Sequence, residues 1–245
     1  MIQLEDQNTA MKAIPPPLRS WSENSINRCI FEEIPVYWEA NDVISFITDL
    51  DMYQPSLYDI LDNSEKEQEQ KFKTEYFKKR FTLSRSLLKF ILKPILGADT
   101  PTDIMLAKEN KGRVIISGVP DIFISLSYSG TYIVITLGKQ KTGCDIEVVR
   151  PVKAKKITSC QIFTNYRLTH EREFLRQIIH VWTLVESCAK LYDENPYTIL
   201  NSCLFKNTNF VSYCVNEHLI FSIASGKKQL ADALLWLDIY DSGEP

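Results

Sequence analysis

Asp145-Ile146-Glu147 sets two carboxylates on alternate positions of an extended stretch. Alternate side chains of a strand share a face, so both acids point one way and Ile146 the other. Such neighbours repel unless a proton or a cation joins them. The pair suits Mg²⁺, a hard ion that takes oxygen ligands, and it equally suits a solvated strand face. Trp182, Glu186 and Lys190 stand four apart and on a helix would form one stripe, with Glu186 N-terminal to Lys190 in the better ion-pair order. Alone, that is a surface ion pair beside a core tryptophan. Taken with the Asp-x-Glu strand, Glu186 becomes a third carboxylate and Lys190 a cation able to meet phosphate oxygens. A third set is Phe123-Ile124-Ser125-Leu126-Ser127-Tyr128-Ser129-Gly130, whose hydroxyls and backbone N–H groups can face an anion, although the same residues are ordinary hairpin chemistry.

Elements must position these residues. The stretch to Arg28 contains Pro15-Pro16-Pro17, which favours an extended arm. Cys29 to Trp38 reads as a strand, and Asn41-Asp42 as the cap of a short helix to Leu50. A long helix is predicted from Asp62-Asn63-Ser64, with a Ser64/Glu67 capping box, to Leu92 before Pro94. Its buried face holds Phe72, Tyr76, Leu83, Leu87 and Ile91, and its lysines and arginines fill the rest. Strands follow at Ile104–Ala107, Val114–Ile116, Phe123–Ser127, Tyr132–Leu137 and Cys144–Val149. A second helix runs from Glu171 to Leu191, and the tail reads as strands at Ser202–Phe205, Phe210–Val215, Leu219–Ser225 and Ala233–Ile239. The expectation is an α+β fold of two similar halves, each a small, mostly antiparallel sheet packed on a long helix. Residues 1–28 are the arm, 29–138 the N-terminal half and 139–245 the C-terminal half.

Composition narrows the function classes. The 245 residues are 44% apolar and 24% charged, as in a folded globular protein. Lys and Arg number 28 against 31 Asp and Glu, a net charge of −3, so no anionic polymer or membrane is held by the surface as a whole. The six cysteines lack CxxC pairing, and the N-terminus lacks an apolar leader core, which argues against secretion and a zinc ribbon. Ile122 to Gly138 carries no charge, but its serines, glycine and β-branched residues fit two strands better than a membrane helix. A cytoplasmic protein is expected. His170, His180 and His218 are not spaced as metal ligands and read as surface or interface residues. No Ser-His-Asp set or P-loop is evident, and Cys188 reads as a buried small hydrophobe.

The order of these parts resembles a family. Arg113 after Gly112, then Ser-Leu-Ser-Tyr-Ser-Gly, Gly-Cys-Asp-Ile-Glu and Trp-Thr-Leu-Val-Glu-Ser-Cys-Ala-Lys is similar to the 4'-phosphopantetheinyl transferases. The likeness is to their larger, pseudo-dimeric class that activates surfactin synthetase, with its GKP-like turn, Ser-His-Ser, Gly-x-Asp-x-Glu and Trp-x-x-Lys-Glu-x-x-x-Lys. It runs from about Leu57 to about Leu191. It implies two pseudo-symmetric halves with the active site in the cleft between them. It further implies transfer of the 4'-phosphopantetheine arm of coenzyme A to a serine of an acyl- or peptidyl-carrier protein, as in holo-[acyl-carrier-protein] synthesis. The products would be holo-carrier and adenosine 3',5'-bisphosphate, serving fatty acid, polyketide or nonribosomal peptide biosynthesis.

By the same resemblance Asp145, Glu147 and Glu186 hold Mg²⁺, Glu186 helps deprotonate the acceptor serine and Lys190 offsets phosphate charge. Arg113, Ser127, Tyr128, Arg85, Ser86 and, less specifically, Lys73 take the nucleotide end of coenzyme A. The partners expected are the co-substrate and an acidic carrier helix, with no nucleic acid, no membrane and a monomeric state.

Three departures stand out. Tyr128 replaces the family histidine, Val185 replaces the lysine before Glu186, and the glycine-rich turn after the helix is missing at Tyr192-Asp193-Glu194-Asn195-Pro196. They motivate one rival, a weak or inactive member that still binds coenzyme A or a carrier domain. A second rival is a module whose basic helix Ser64–Leu92 grips nucleic acid or acidic partners; phosphate-backbone binding of that kind should weaken steeply with salt.

Overall fold

The computed structural model describes residues 19–21, 27–29, 31–52, 60–151, 171–200, 204, 207–226 and 231–237. In chain order its elements are β1 (Arg19–Trp21), β2 (Asn27–Cys29), α1 (Ile34–Ala40), β3 (Val43–Asp49), α2 (Asn63–Gln70), α3 (Glu75–Leu96), β4 (Leu106–Lys108), β5 (Val114–Ile116), β6 (Phe123–Ser129), β7 (Tyr132–Gly138), β8 (Thr142–Val148), α4 (Glu171–Tyr192), α5 (Pro196–Leu200), β9 (Asn209–Val215), β10 (Leu219–Ser225) and β11 (Asp232–Leu237). The class is α+β, as the sequence predicts. The Pro15–Pro17 arm, His170 and most of the Ser202–Phe205 strand lie outside the described residues.

Two compact units divide between Lys141 and Thr142. One holds β1 and the elements from β8 to β10, in a sheet ordered β1-β9-β10-β8. The other holds β2 to β7 and β11, with a sheet ordered β2-β11-β3-β7-β6 and the small hairpin β4-β5. Most pairs are antiparallel, but β1 runs parallel to β9, and β11 runs parallel to both β2 and β3. The last strand, read from sequence as closing the C-terminal half, therefore pairs instead with strands from before residue 50.

The first helix and strand exchange places relative to the sequence reading. Ile34 and Trp38 are buried and four apart, the spacing of one helical face. Pro35 sits in the first turn, where a missing N–H costs nothing. The next run, Val-Ile-Ser-Phe-Ile-Thr-Asp, is buried at all but its last residue. It lies between β11 and β7, and a central strand covered on both faces needs no polar alternation.

The long basic helix is two helices. Asp62, rather than Ser64, caps α2: its carboxylate accepts from the Glu65 N–H at 2.9 Å, while Glu65 accepts from the Asp62 N–H at 3.1 Å. After Lys71 the helix stops, and Thr74 caps α3 by accepting from the Phe77 N–H, a local bond that competes with continuous helix. Pro94 does not end α3, which runs to Leu96 and stops at Gly97 in the left-handed region, φ 63°.

Leu83, Leu87, Leu88, Ile91 and Leu92 of α3 are all buried. At about 1.5–3 kcal/mol each, they account for on the order of 10 kcal/mol of burial. Tyr76, expected on that face, is half exposed, and its hydroxyl donates to the Gly130 carbonyl at 2.9 Å. A buried ion pair, Lys89 Nζ to Glu65 at 2.6 Å, fastens α2 to α3.

The uncharged run Ile122–Gly138 is the β6–β7 hairpin, in register Ser129↔Tyr132. Its turn is Gly130-Thr131, and Gly130 at φ 60° sits at the first central position, where a type II' turn requires positive φ. Among the described residues no helix is long and apolar enough to cross a membrane.

Candidate functional site

Gly143 brings the acidic strand onto its helix. A side-chain carbon there would overlap the Ser187 carbonyl oxygen and lie 2.5 Å from the Leu191 nitrogen, so only glycine lets β8 approach α4 this closely. By alternation Asp145 and Glu147 share the face of Gly143, while Cys144 and Ile146 are fully buried on the other. Lys190 Nζ donates to Asp145 Oδ1 and to the Cys144 carbonyl, each at 2.9 Å. Asp145 is 5% exposed.

On α4 the expected stripe is present. Trp182, Glu186 and Lys190 are each partly exposed, and the residues between them are buried. Burial first, then the negative charges of Asp145 and Glu147, push the Glu186 carboxyl up to about 7 against the pull of Lys190. Burial works to lower the Lys190 ammonium, but Asp145 above all, with Glu186 adding to it, holds it above its ordinary value. The structure thus gathers Asp145, Glu147, Glu186 and Lys190 into one electrostatic neighbourhood. Among the described residues no ready-made cage of three His, Cys, Asp or Glu ligands is formed. The donor chemistry nonetheless suits a divalent cation, because like charge is what raises Glu186 after burial, and a cation relieves it.

Val185, the departure beside Glu186, is fully buried with Ile178, Val181, Leu184 and Ile199. The missing lysine is therefore a packing residue here. Cys188 is buried in the same cluster, and burial raises its thiol pKa, which leaves it inert at neutral pH. His180, read from sequence as a surface or interface residue, is 8% exposed, and burial lowers it to about 4.

The basic residues belong to the other unit. Arg85 is 4% exposed. Burial lowers its pKa, and Glu65 and Tyr128 lie close enough to oppose that. Ser86 is fully buried. Ser127 is buried on β6, with Tyr128 on the opposite face, packed beside the core of Leu83, Leu87 and Ile124. Arg113 Nη1 donates to the Ile124 carbonyl at 3.4 Å and, with Glu109 and Lys141, lines a cleft of about 450 Å³ whose other walls include Ile115, Val119 and Phe123. Lys73 is exposed in the break between α2 and α3 and is not gathered with the others.

Sequence reasoning missed Arg80. Read as part of a solvated face, it carries its guanidinium 4.6 Å from the Tyr128 ring centre and 4.9 Å from that of Phe77, so a fixed positive charge lies on the phenol that replaces histidine. The signal available was the aromatic pair Tyr76-Phe77 within one turn of Arg80.

No family model matches the chain. Over 170 residues it is 24% identical to the 4'-phosphopantetheinyl transferase AcpT of Escherichia coli (strain K12), a span of 66% of this chain and 83% of that relative. Over 92 residues it is 26% identical to the 4'-phosphopantetheinyl transferase Sfp of Bacillus subtilis (strain 168), covering 36% of this chain and 41% of the relative. These similarities support membership of the 4'-phosphopantetheinyl transferase superfamily.

Proposed function

We propose that this member of the 4'-phosphopantetheinyl transferase superfamily moves the phosphopantetheine arm of coenzyme A to a serine of an acyl- or peptidyl-carrier protein. The reaction is Mg²⁺-dependent and of the holo-[acyl-carrier-protein] synthase type, and the protein acts as a cytoplasmic monomer. The observation that carries this reading is the grouping of Glu186 with Asp145, Glu147 and Lys190, whose charges all act on it, with Lys190 bonded to Asp145. In the transfer the serine oxygen bonds to the phosphorus bearing the pantetheine, and that phosphorus releases the adenosine 3',5'-bisphosphate oxygen. Glu186 accepts the serine proton at its carboxylate, directly or through water. Lys190, fixed on Asp145 and the Cys144 carbonyl, keeps a positive charge beside the phosphoryl group, which needs positioning and charge neutralisation more than covalent help.

Asp145, Glu147 and Glu186 would hold Mg²⁺, which when bound offsets diphosphate charge. Arg85, Arg113, Ser127 and Tyr128, with Lys73 and Ser86, are assigned to the nucleotide end of coenzyme A.

A second reading, a catalytically weak or inactive family member that binds coenzyme A or a carrier domain, is favoured by Tyr128 in place of histidine and by the buried Val185. Intact-mass spectrometry of apo carrier proteins incubated with the protein, coenzyme A and Mg²⁺ separates the two. The expected result is a metal-dependent gain of one phosphopantetheine, abolished in Asp145→Ala and in Glu186→Gln. Full activity in either variant overturns the site. No gain on any carrier, with coenzyme A bound, favours the second reading.

A further inference from the structure

Between α4 and its sheet lies a line of hydroxyls. Thr183 Oγ donates to the His180 carbonyl at 2.8 Å and lies 2.8 Å from Ser222 Oγ, which lies 2.9 Å from Ser212 Oγ. All three residues are at most 1% exposed. The proton count gives the chain a direction. Thr183 spends its single hydrogen on His180, so it accepts from Ser222, and Ser222 in turn accepts from Ser212. Ser222 is the cross-strand partner of Asp145.

Apolar burial holds a helix on a sheet but is non-directional; what resists rolling about the helix axis is a directional bond. Seven residues are nearly two turns, so Thr183 and Lys190 point within about 20° of each other. Thr183 ends on Ser222 of β10, and Lys190 ends on Asp145 of β8. Glu186 lies between these two fastenings.

We propose that Thr183, acting through Ser222, is a positioning residue: the chain Ser212–Ser222–Thr183 fixes the rotation of α4 that turns Glu186 toward Asp145 and Glu147. The kinetic part of this inference rests on the transferase reading; the structural part does not. Removing the Thr183 hydroxyl leaves the Ser222 O–H buried without its acceptor, whereas serine at that position restores it.

The test compares Thr183→Val, Thr183→Ser and Ser222→Ala in the full chain, assayed with coenzyme A, Mg²⁺ and an apo carrier protein. Hydrogen exchange of α4 is followed in parallel. Thr183→Val and Ser222→Ala are expected to lower kcat about tenfold or more, with KM for coenzyme A within about twofold, while Thr183→Ser stays within about twofold of the parent. Exchange of the α4 amides around Glu186 quickens in the first two variants and not in Thr183→Ser.

Parental kcat in Thr183→Val, a loss confined to KM, or an equal loss in Thr183→Ser overturns the proposal. If the parent itself transfers nothing to any carrier, the transferase reading fails by itself, and the exchange comparison decides: unaltered exchange in Thr183→Val overturns the positioning role, and quickened exchange supports it. Should Thr183→Val fail to fold, Ser222→Ala carries the same outcomes.

Discussion

Glu186 and His180 occupy one helix and are shifted in opposite senses by the same burial. Loss of water disfavours whichever form is charged, so the carboxyl rises to about 7 and the imidazole falls to about 4. Glu186 has Asp145 and Glu147 as neighbours, whose negative charges add to the effect of burial, whereas only burial acts on His180. The acidic set was legible in the sequence because strand alternation and four-residue helical spacing are local rules. Arg80 on Tyr128 was not, since that contact joins α3 to β6 and depends on tertiary packing. His180 yields a pH prediction. Its native pKa lies below the unfolded value near 6.5, so the unfolded chain binds the extra proton between about pH 6.5 and 4. Stability therefore falls as pH drops through that window, by up to about 3 kcal/mol if the shift is fully expressed. Urea unfolding at pH 7.5 and pH 5 should show a smaller pH-dependent loss in His180→Leu than in the parent. Equal losses in both would exclude His180 as a source.

Strands flanked by tight turns were read from sequence to within a residue or two: β7, β9 and β10 follow alternating or β-branched runs between turn residues. The exchange of α1 and β3 has a different cause. A central strand buried on both faces and a short helix offer similar apolar composition, and only the pairing of β3 with β11 and β7 decides between them. The start of α2 turned on a choice between capping boxes of the same spacing, Asp62/Glu65 and Ser64/Glu67, and the break before α3 on the local cap at Thr74. At the α4–β8 contact, the element scale yields its own prediction. Gly143→Ala places a carbon against backbone atoms of Ser187 and Leu191, which cannot rotate away as a side chain would. Separation of β8 from α4 should cost about 1–3 kcal/mol and loosen the Lys190–Asp145 bond, which on the proposed transferase reading lowers transfer with it. Gly226→Ala, where a new carbon meets nothing within 4 Å, serves as control and should stay within about 0.5 kcal/mol of the parent. Equal urea midpoints for the two variants would show that the close approach is not a constraint.

At the scale of the whole chain, the two ends exchange allegiance. β1 belongs with β8 to β10, and β11 with β2 to β7. Sequence reading divides a chain into contiguous stretches, and nothing in the composition of Asp232–Leu237 says which sheet it joins; that information lies in the parallel register Leu235↔Phe46. The consequence is testable because β11 lies between β2 and β3 and buries Leu234, Leu235 and Leu237. Those side chains alone account for roughly 5–9 kcal/mol of burial, comparable with the net stability of an ordinary domain. A chain ended after residue 230 would also leave the β3 edge without its parallel partner, a row of open N–H and C=O groups prone to association. In hydrogen exchange, that truncation is expected to strip protection from β3 and β7 while β9 and β10 keep theirs, and Leu235→Ala should do the same more mildly, at about 2–5 kcal/mol. If β3 kept its protection in the truncated chain and β10 lost it, β11 would belong to the other sheet, as the linear sequence suggests.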